Sequence, residues 1–372
     1  MRMGGAEKIA LNFIPILQKY YEVTVVLNKK EGELLNCIPD GVEVAEDRLL
    51  AFGEVVKSDL KHFRIGKLLR DFVYYLKVKL GKNSDRNYRY LVSRTPPMDR
   101  HFDVAIAYVA NVSTQIFSAL DRTNAEKKIA WIHGETTELV DVELYNGCYS
   151  KFDKIYCVSG VSKEHFVKKF PSLREKCDIY YNPINREQIL QRAEHTPEVA
   201  FDGSYINILS VGRITPEKGY DMVPEITRTL LDRGHTVRFY LIGDGDSVPL
   251  VRENMAKFGV EDSVILLGTK ANPYPYMRNC DVYVQPSYEE GYSTTICEAA
   301  ILGCAIVGTT SSGGIREQVE DGVSAILAEP SPEALSDKIE SLIVSEDMRI
   351  NLGVKAKQIS FSQKATLSFF AE

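Results

Sequence analysis

Short apolar runs, each followed by a turn and then a stretch with helical spacing, recur along the chain. The strand-like runs are Glu22–Leu27, a short Val42–Val44, Asp103–Tyr108, Lys128–Ile132, Lys154–Val158 and Ile179–Ile184. After a polar interval come Ile206–Val211, Val237–Ile242, Val264–Leu267, Asp281–Gln285 and Ala305–Val307. Several of these are apolar almost throughout, which suits strands buried on both faces of a parallel sheet. Between them the apolar positions shift to helical spacing. Ile9, Phe13, Ile16 and Leu17 define a first helix reaching about Tyr20. Further helices are expected at about Val112–Leu120, from Ser159–Ser162 to Phe170, after Gly219, at Val248–Phe258 and at Pro332–Val344. Ser159 is a suitable N-cap. Strands alternating with helices predict α/β architecture with doubly wound parallel sheets.

The polar, turn-rich stretch Asn185–Ser204 divides this pattern and reads as a linker. Residues 1–184 form one expected domain, 205–357 a second, and 358–372 a closing segment; 372 residues suit two domains of ordinary size. Apolar content of 44% is enough for two cores.

Charge adds one feature. The net charge of −6 argues against a nucleic-acid partner. Residues 57–100 nevertheless hold twelve Lys/Arg against four Asp/Glu, a local +8 that leaves −14 for the remainder. Phe63, Leu68, Leu69 and Phe72 interleave with Lys61, Arg64, Lys67 and Arg70 there. A basic amphipathic helix of this kind can lie on an anionic membrane surface, or pack on a sheet with its basic face solvated. Seven cysteines without a C-x-x-C pair suit reduced thiols in a cytoplasmic protein. No apolar run has the length of a membrane span, and no signal peptide is visible.

The chemistry concentrates at two strand ends. After Asp281–Gln285 comes Glu289-Glu290-Gly291-Tyr292-Ser293-Thr294-Thr295-Ile296-Cys297-Glu298, a turn that opens a helix. A helix N-terminus offers unpartnered N–H groups to an anion, so the amides of Ser293, Thr294 and Thr295 suit a pyrophosphate. Gly291 lets a ligand approach the backbone. Glu290 and Glu298 stand roughly 10–12 Å apart along the helix, which suits carboxylates gripping opposite ends of one long ligand. The competing reading has Glu290 complementing the helix dipole and Glu298 on a solvated face. After Ile206–Val211 comes Gly212-Arg213-Ile214-Thr215-Pro216-Glu217-Lys218-Gly219, with two cations where open α/β sheets bind ligands. Arg213 can fork onto phosphate oxygens and Lys218 can act as a point charge.

Together these stretches resemble the retaining glycosyltransferase family 4, which has the GT-B fold of two Rossmann-like domains facing across a cleft. Glu290 and Glu298 match its Glu-x7-Glu hallmark, and Arg213 and Lys218 its diphosphate-binding Arg and Lys. The resemblance covers most of the chain and implies an acceptor-binding first domain, a nucleotide-sugar-binding second domain, and a segment 358–372 that crosses back to the first. It implies a retaining, metal-independent transferase that moves a sugar from a nucleotide diphosphate sugar, UDP favoured, to a hydroxyl. With the basic segment, it suggests a lipid-linked glycan acceptor in polysaccharide or glycolipid assembly, and a cytoplasmic protein peripheral to the inner membrane face. Glu290 would hold sugar hydroxyls and Glu298 the ribose. Gly212, Tyr292 and the Gly4-Gly5-Ala6-Glu7 loop would lie along the donor. Thr269, at the end of Val264–Leu267, would sit near the base. His133, which ends Lys128–Ile132, would sit near the transferred sugar; a strand-end histidine is otherwise a structural residue. Glu135 is a weaker candidate. In the family a first strand precedes the Gly-Gly loop. Only three residues do so here, so an upstream strand is expected.

Rival chemistries remain. Asp244 and Asp246, after Val237–Ile242, could hold a divalent ion on a diphosphate, as in the GT-A fold. Gly243-Asp244-Gly245 is a weak dinucleotide hint without a third glycine. A UDP-sugar epimerase, a phosphorylase or a non-catalytic GT-B subunit of a transferase complex would share the fold.

Overall fold

The computed structural model describes residues 5–49, 54, 57, 61, 70, 73, 74, 76, 85–134, 139–310 and 313–361. The chain divides into two compact units, with the boundary between Tyr181 and Asn182. Both are α/β, and every strand pairing in them is parallel.

In the first unit the helix Gly5–Leu17 leads to β1 (Thr24–Leu27) and β2 (Glu43–Glu46), which pair with each other. A separate four-stranded sheet follows, in the order β3 (His101–Ala107), β4 (Asn124–Ile132), β5 (Lys154–Cys157) and β6 (Cys177–Ile179). A buried ion pair joins the two sheets: Arg122, just before β4, reaches Asp47, just after β2, at 2.7 Å. Ser159 caps the helix Gly160–Lys169 by accepting from the Ser162 amide at 3.0 Å.

The second unit has one sheet, ordered β12 (Ile326–Ala328), β11 (Ile306–Thr309), β10 (Val282–Gln285), β7 (Ile206–Val211), β8 (Val237–Ile242) and β9 (Val264–Gly268). Its strands are apolar on both faces because both are covered. Ile208, Phe239, Leu241, Val282 and Val284 pack into one core, and their neighbours Leu209, Tyr240, Ile242 and Tyr283 into the other. The consequence for function is positional. β7 and β10 are adjacent at the centre of the sheet, so the loops leaving their C-terminal ends lie side by side.

The stretch expected to be a linker is structured. Asn185 accepts from the Gln188 amide at 3.0 Å and starts a helix, Arg186–Arg192. Ile189 and Ala193, one turn apart, are each 3% exposed and join the core of the second unit beside Ile296 and Ala299. Two apolar contacts were enough to fix a segment whose composition reads as a loop. Ile359 and Phe361 pack on the same core. The expected crossing of 358–372 to the first domain lies otherwise outside the described residues, as do Glu135 and most of the basic segment. Where that segment is described, Arg86 and Arg89 pair with Glu143 and Asp121, each at 3.0 Å, and Arg100 pairs with Glu43. Among the described residues no helix is long and apolar enough to cross a membrane.

Candidate active site

The second unit brings most of the sequence-derived residues onto two loops. The loop after β7 runs through Arg213 to Lys218 and turns at Gly219, whose φ of 67° is left-handed. A β-carbon at Gly219 would collide with the Pro286 carbonyl, so the glycine is required by close approach as well as by φ. The two loops are stitched by backbone: the amides of Tyr288 and Glu289 donate to the Glu217 carbonyl at 2.9 and 3.3 Å. This places the Lys218 Nζ 2.6 Å from the Glu290 Oε2, with the two side chains only 18% and 11% exposed. The Ser287 hydroxyl also reaches Glu290, at 3.4 Å. Arg213 is exposed at the start of the same loop. Tyr220, just beyond, is buried with its hydroxyl unpartnered, and a side chain at Gly212 would meet that hydroxyl. Burial, and then the Glu290 charge, push the Tyr220 pKa upward, so it stays protonated.

The signature helix runs Thr294–Leu302 with Ser293 as N-cap, whose hydroxyl accepts from the Ile296 amide at 3.4 Å. Here the structure corrects one expectation. The Ser293 amide does not face a ligand; it donates to the Gln318 Oε1 at 3.0 Å. Gln318 donates back to the Ser293 carbonyl at 2.6 Å and to the Cys297 sulfur at 2.9 Å. The amides of Thr294 and Thr295, in the first turn, have no intrahelical acceptor. The Thr295 hydroxyl is held by Gln285 at 2.9 Å, and Gln285 in turn donates to Ser287 at 2.9 Å. Tyr292 accepts from the Cys297 thiol at 3.6 Å. Glu298 accepts from the Tyr274 hydroxyl at 3.1 Å. Thr269 is exposed just after β9.

Three of these supports were not found by sequence reasoning. Gln318 clamps the helix start from 25 residues away. Gly314 donates to the Glu290 carbonyl at 3.2 Å, and a β-carbon there would strike the Gly291 carbonyl. Tyr274 holds Glu298. Gly314 sits in a Gly-Gly pair that could have marked a close approach; the other two look like ordinary helix residues.

Gly5 and His133 belong to the first unit. Gly5 is the first residue of the helix Gly5–Leu17. His133 follows β4, with its ring 4.5 Å from Tyr108 and 5.9 Å from Trp131. Its Nε2 is enclosed without a hydrogen-bond partner, as are the Tyr108 hydroxyl and the Trp131 Nε1. Burial pulls the His133 pKa down to about 3, against a hydrogen bond to the Tyr108 backbone that acts the other way. The imidazole is therefore neutral at neutral pH.

Asp244 and Asp246 are both exposed, and the Asp244 carboxylate accepts from the Gly245 amide at 2.8 Å. Among the described residues, the group of three that could hold an ion is His101, Asp103 and Glu126, all exposed.

Residues 191–359 match the model of the family described as Glycosyl transferases group 1. The chain is 25% identical over 357 residues, 95% of its length and 91% of the relative's, to a Campylobacter jejuni enzyme. That enzyme is named N-acetylgalactosamine-N,N'-diacetylbacillosaminyl-diphospho-undecaprenol 4-alpha-N-acetylgalactosaminyltransferase. It is 26% identical over 144 residues, 38% of each chain, to the Staphylococcus aureus capsular polysaccharide biosynthesis glycosyltransferase CapM. In fold it resembles Anabaena HepE, crystallised with UDP and glucose. The TM-score is 0.67 at 20% identity, over 95% of this chain and 90% of that one. Fold and sequence together define a glycosyltransferase of the GT-B class.

Proposed function

We propose that the chain transfers a sugar, with retention of anomeric configuration and without a metal ion, from a UDP-sugar to a hydroxyl of a lipid-linked glycan in polysaccharide assembly. The observation that carries the donor reading is the Lys218–Glu290 contact beside the start of the Thr294–Leu302 helix. It puts a cation, an acid and two helix-start amides within one small region, which suits a diphosphate joined to a sugar. Lys218, Arg213 and the amides of Thr294 and Thr295 would stabilise the charge that grows on the diphosphate as the glycosidic bond breaks. Gly212, Gly291 and Tyr292 would line the donor, Glu290 would bind sugar hydroxyls, Glu298 the ribose, and Thr269 would lie near the base. In the first unit, Gly5 would contribute to the donor site. His133 would serve the sugar as a neutral hydrogen-bonding group.

No covalent nucleophile is assigned. The bond from the sugar C1 to the β-phosphate oxygen breaks while the acceptor oxygen attacks C1 from the same face. The departing phosphate oxygen takes the acceptor's proton. The two cations already supply the positive charge that a divalent ion would otherwise bring. The acceptor reading is supported by the Campylobacter relative, whose name carries an undecaprenol diphosphate. Residues 57–100, taken as a contact with anionic lipid, would keep the protein peripheral at the cytoplasmic membrane face.

Thermal unfolding with UDP, with and without EDTA, tests the donor half. Stabilisation that survives EDTA and is lost in Arg213→Ala is expected; stabilisation that needs a divalent ion would move the site to Asp244 and Asp246. Sedimentation with phosphatidylglycerol vesicles tests the membrane half. Binding at low salt that is lost at high salt is expected, and no binding at low salt would refute it.

A further inference from the structure

The helix Arg186–Arg192 does more than complete a core. Its last residue, Arg192, lays its guanidinium over the Tyr274 ring, 5.1 Å from the centroid. The same guanidinium donates to the Ala271 carbonyl at 2.5 Å, and Asn272 donates back to the Arg192 carbonyl at 2.8 Å. Arg192 therefore grips the loop between β9 and the helix Tyr274–Asn279 at three points. Cation–π stacking of this kind fixes the plane of the ring. The fixed ring points its hydroxyl at the Glu298 Oε1, 3.1 Å away. Burial, and then the Glu298 charge, push the Tyr274 pKa upward. The hydroxyl thus keeps its proton and acts as a donor throughout the working pH range.

A glutamate on a helix has three rotatable bonds. A hydrogen bond to one carboxylate oxygen selects one rotamer and sets the lone-pair directions of both oxygens. We propose that Tyr274, braced by Arg192, is the positioning residue that aims Glu298 at the donor's ribose, so that selection of ribose over deoxyribose depends on a side chain outside the signature. The proposal rests on the assignment of Glu298 to the ribose given above. It extends that assignment to a three-residue chain, Arg192, Tyr274 and Glu298, that joins the helix Arg186–Arg192 to the nucleotide end of the site. Carboxylate hydrogen bonds to a hydroxyl are directional, so a misaimed carboxylate loses discrimination before it loses binding.

The test is titration calorimetry of UDP, 2′-deoxy-UDP and 3′-deoxy-UDP against wild type, Tyr274→Phe, Arg192→Met and Glu298→Gln. Tyr274→Phe keeps the ring and its packing, and unfolding curves check that each variant is folded. Wild type is expected to prefer UDP over at least one deoxy analogue. Glu298→Gln should abolish that preference. Tyr274→Phe should reduce it by about tenfold or more, the worth of one hydrogen bond to a charged group, with Arg192→Met showing a smaller reduction. In Tyr274→Phe the donor KM should rise by a larger factor than kcat falls. If Glu298→Gln loses the preference and Tyr274→Phe keeps it, the proposal is wrong and Glu298 is aimed by something else. If Glu298→Gln also keeps it, or no form binds UDP, the assignment of Glu298 fails and the proposal falls with it.

Discussion

Replacing Glu290 by glutamine should tighten UDP binding while it destroys turnover. The Lys218 ammonium is 2.6 Å from the Glu290 carboxylate and both are largely shielded from water. A diphosphate that recruits Lys218 must draw it from that partner. At an effective dielectric near 20, two unit charges at this distance attract by ~6 kcal/mol, an upper bound. Desolvation and competing water leave a net worth on the order of 1–2 kcal/mol for a pair of intermediate burial. Glutamine keeps the shape and one acceptor oxygen but removes the charge, so UDP affinity should rise roughly 5–20-fold. Turnover should fall on the order of a hundredfold if, as proposed, the lost carboxylate holds the transferred sugar in the transition state.

Titration calorimetry gives the affinity and a coupled UDP-release assay gives the turnover. The gain has two possible sources, release of Lys218 or loss of direct repulsion between Glu290 and the diphosphate. A double-mutant cycle separates them. If Lys218 is the source, Glu290→Gln should gain little in a Lys218→Ala background. An equal gain in both backgrounds would refute competition for Lys218, and a loss of UDP affinity in the single variant would refute the argument entirely.

Gln318→Ala should lower the melting temperature and weaken UDP binding together. It strands the buried Ser293 amide, at a cost of about 1–3 kcal/mol, and loosens the start of the signature helix; unfolding curves with and without UDP check both effects. Gly219→Ala should destabilise the second unit, since it combines a left-handed φ with a backbone collision, and a melting temperature equal to wild type would contradict the geometry. His133, with its pKa lowered to about 3, binds fewer protons folded than unfolded once the pH drops below the unfolded value near 6.5. Its contribution to stability is complete above that value and declines as pH falls toward 3. His133→Gln should therefore flatten the fall in melting temperature between pH 6.5 and 4, and parallel curves for the two proteins would show that His133 is not held neutral. The same neutrality predicts that no ionisation of His133 appears in the pH–rate profile between 5 and 8.

What could be read from the sequence follows from how locally each feature is encoded. The central strands of the second unit, Ile206–Val211 and Val237–Ile242, match the observed β7 and β8 because a strand buried on both faces is apolar at most positions. The two cations and two acids were legible because strand ends are marked by abrupt turn chemistry. Linker and brace were not. Arg186–Arg192 carries too few apolar residues to show a period, and its helix exists because Ile189 and Ala193 find a core made by residues a hundred positions later. Gln318, Gly314 and Tyr274 share that limit, since each acts on the signature through a contact 24 or 25 residues away. The error at the Ser293 amide has the same origin. A helix start looks free in sequence because the rule counts only intrahelical partners, and Gln318 is a partner from another element. On the proposed reading, the signature names the groups that would face the ligand, while the residues that fix their direction are spread through the fold. Those residues belong to no motif, and on that reading they are where donor selectivity would change without altering Glu290 or Glu298.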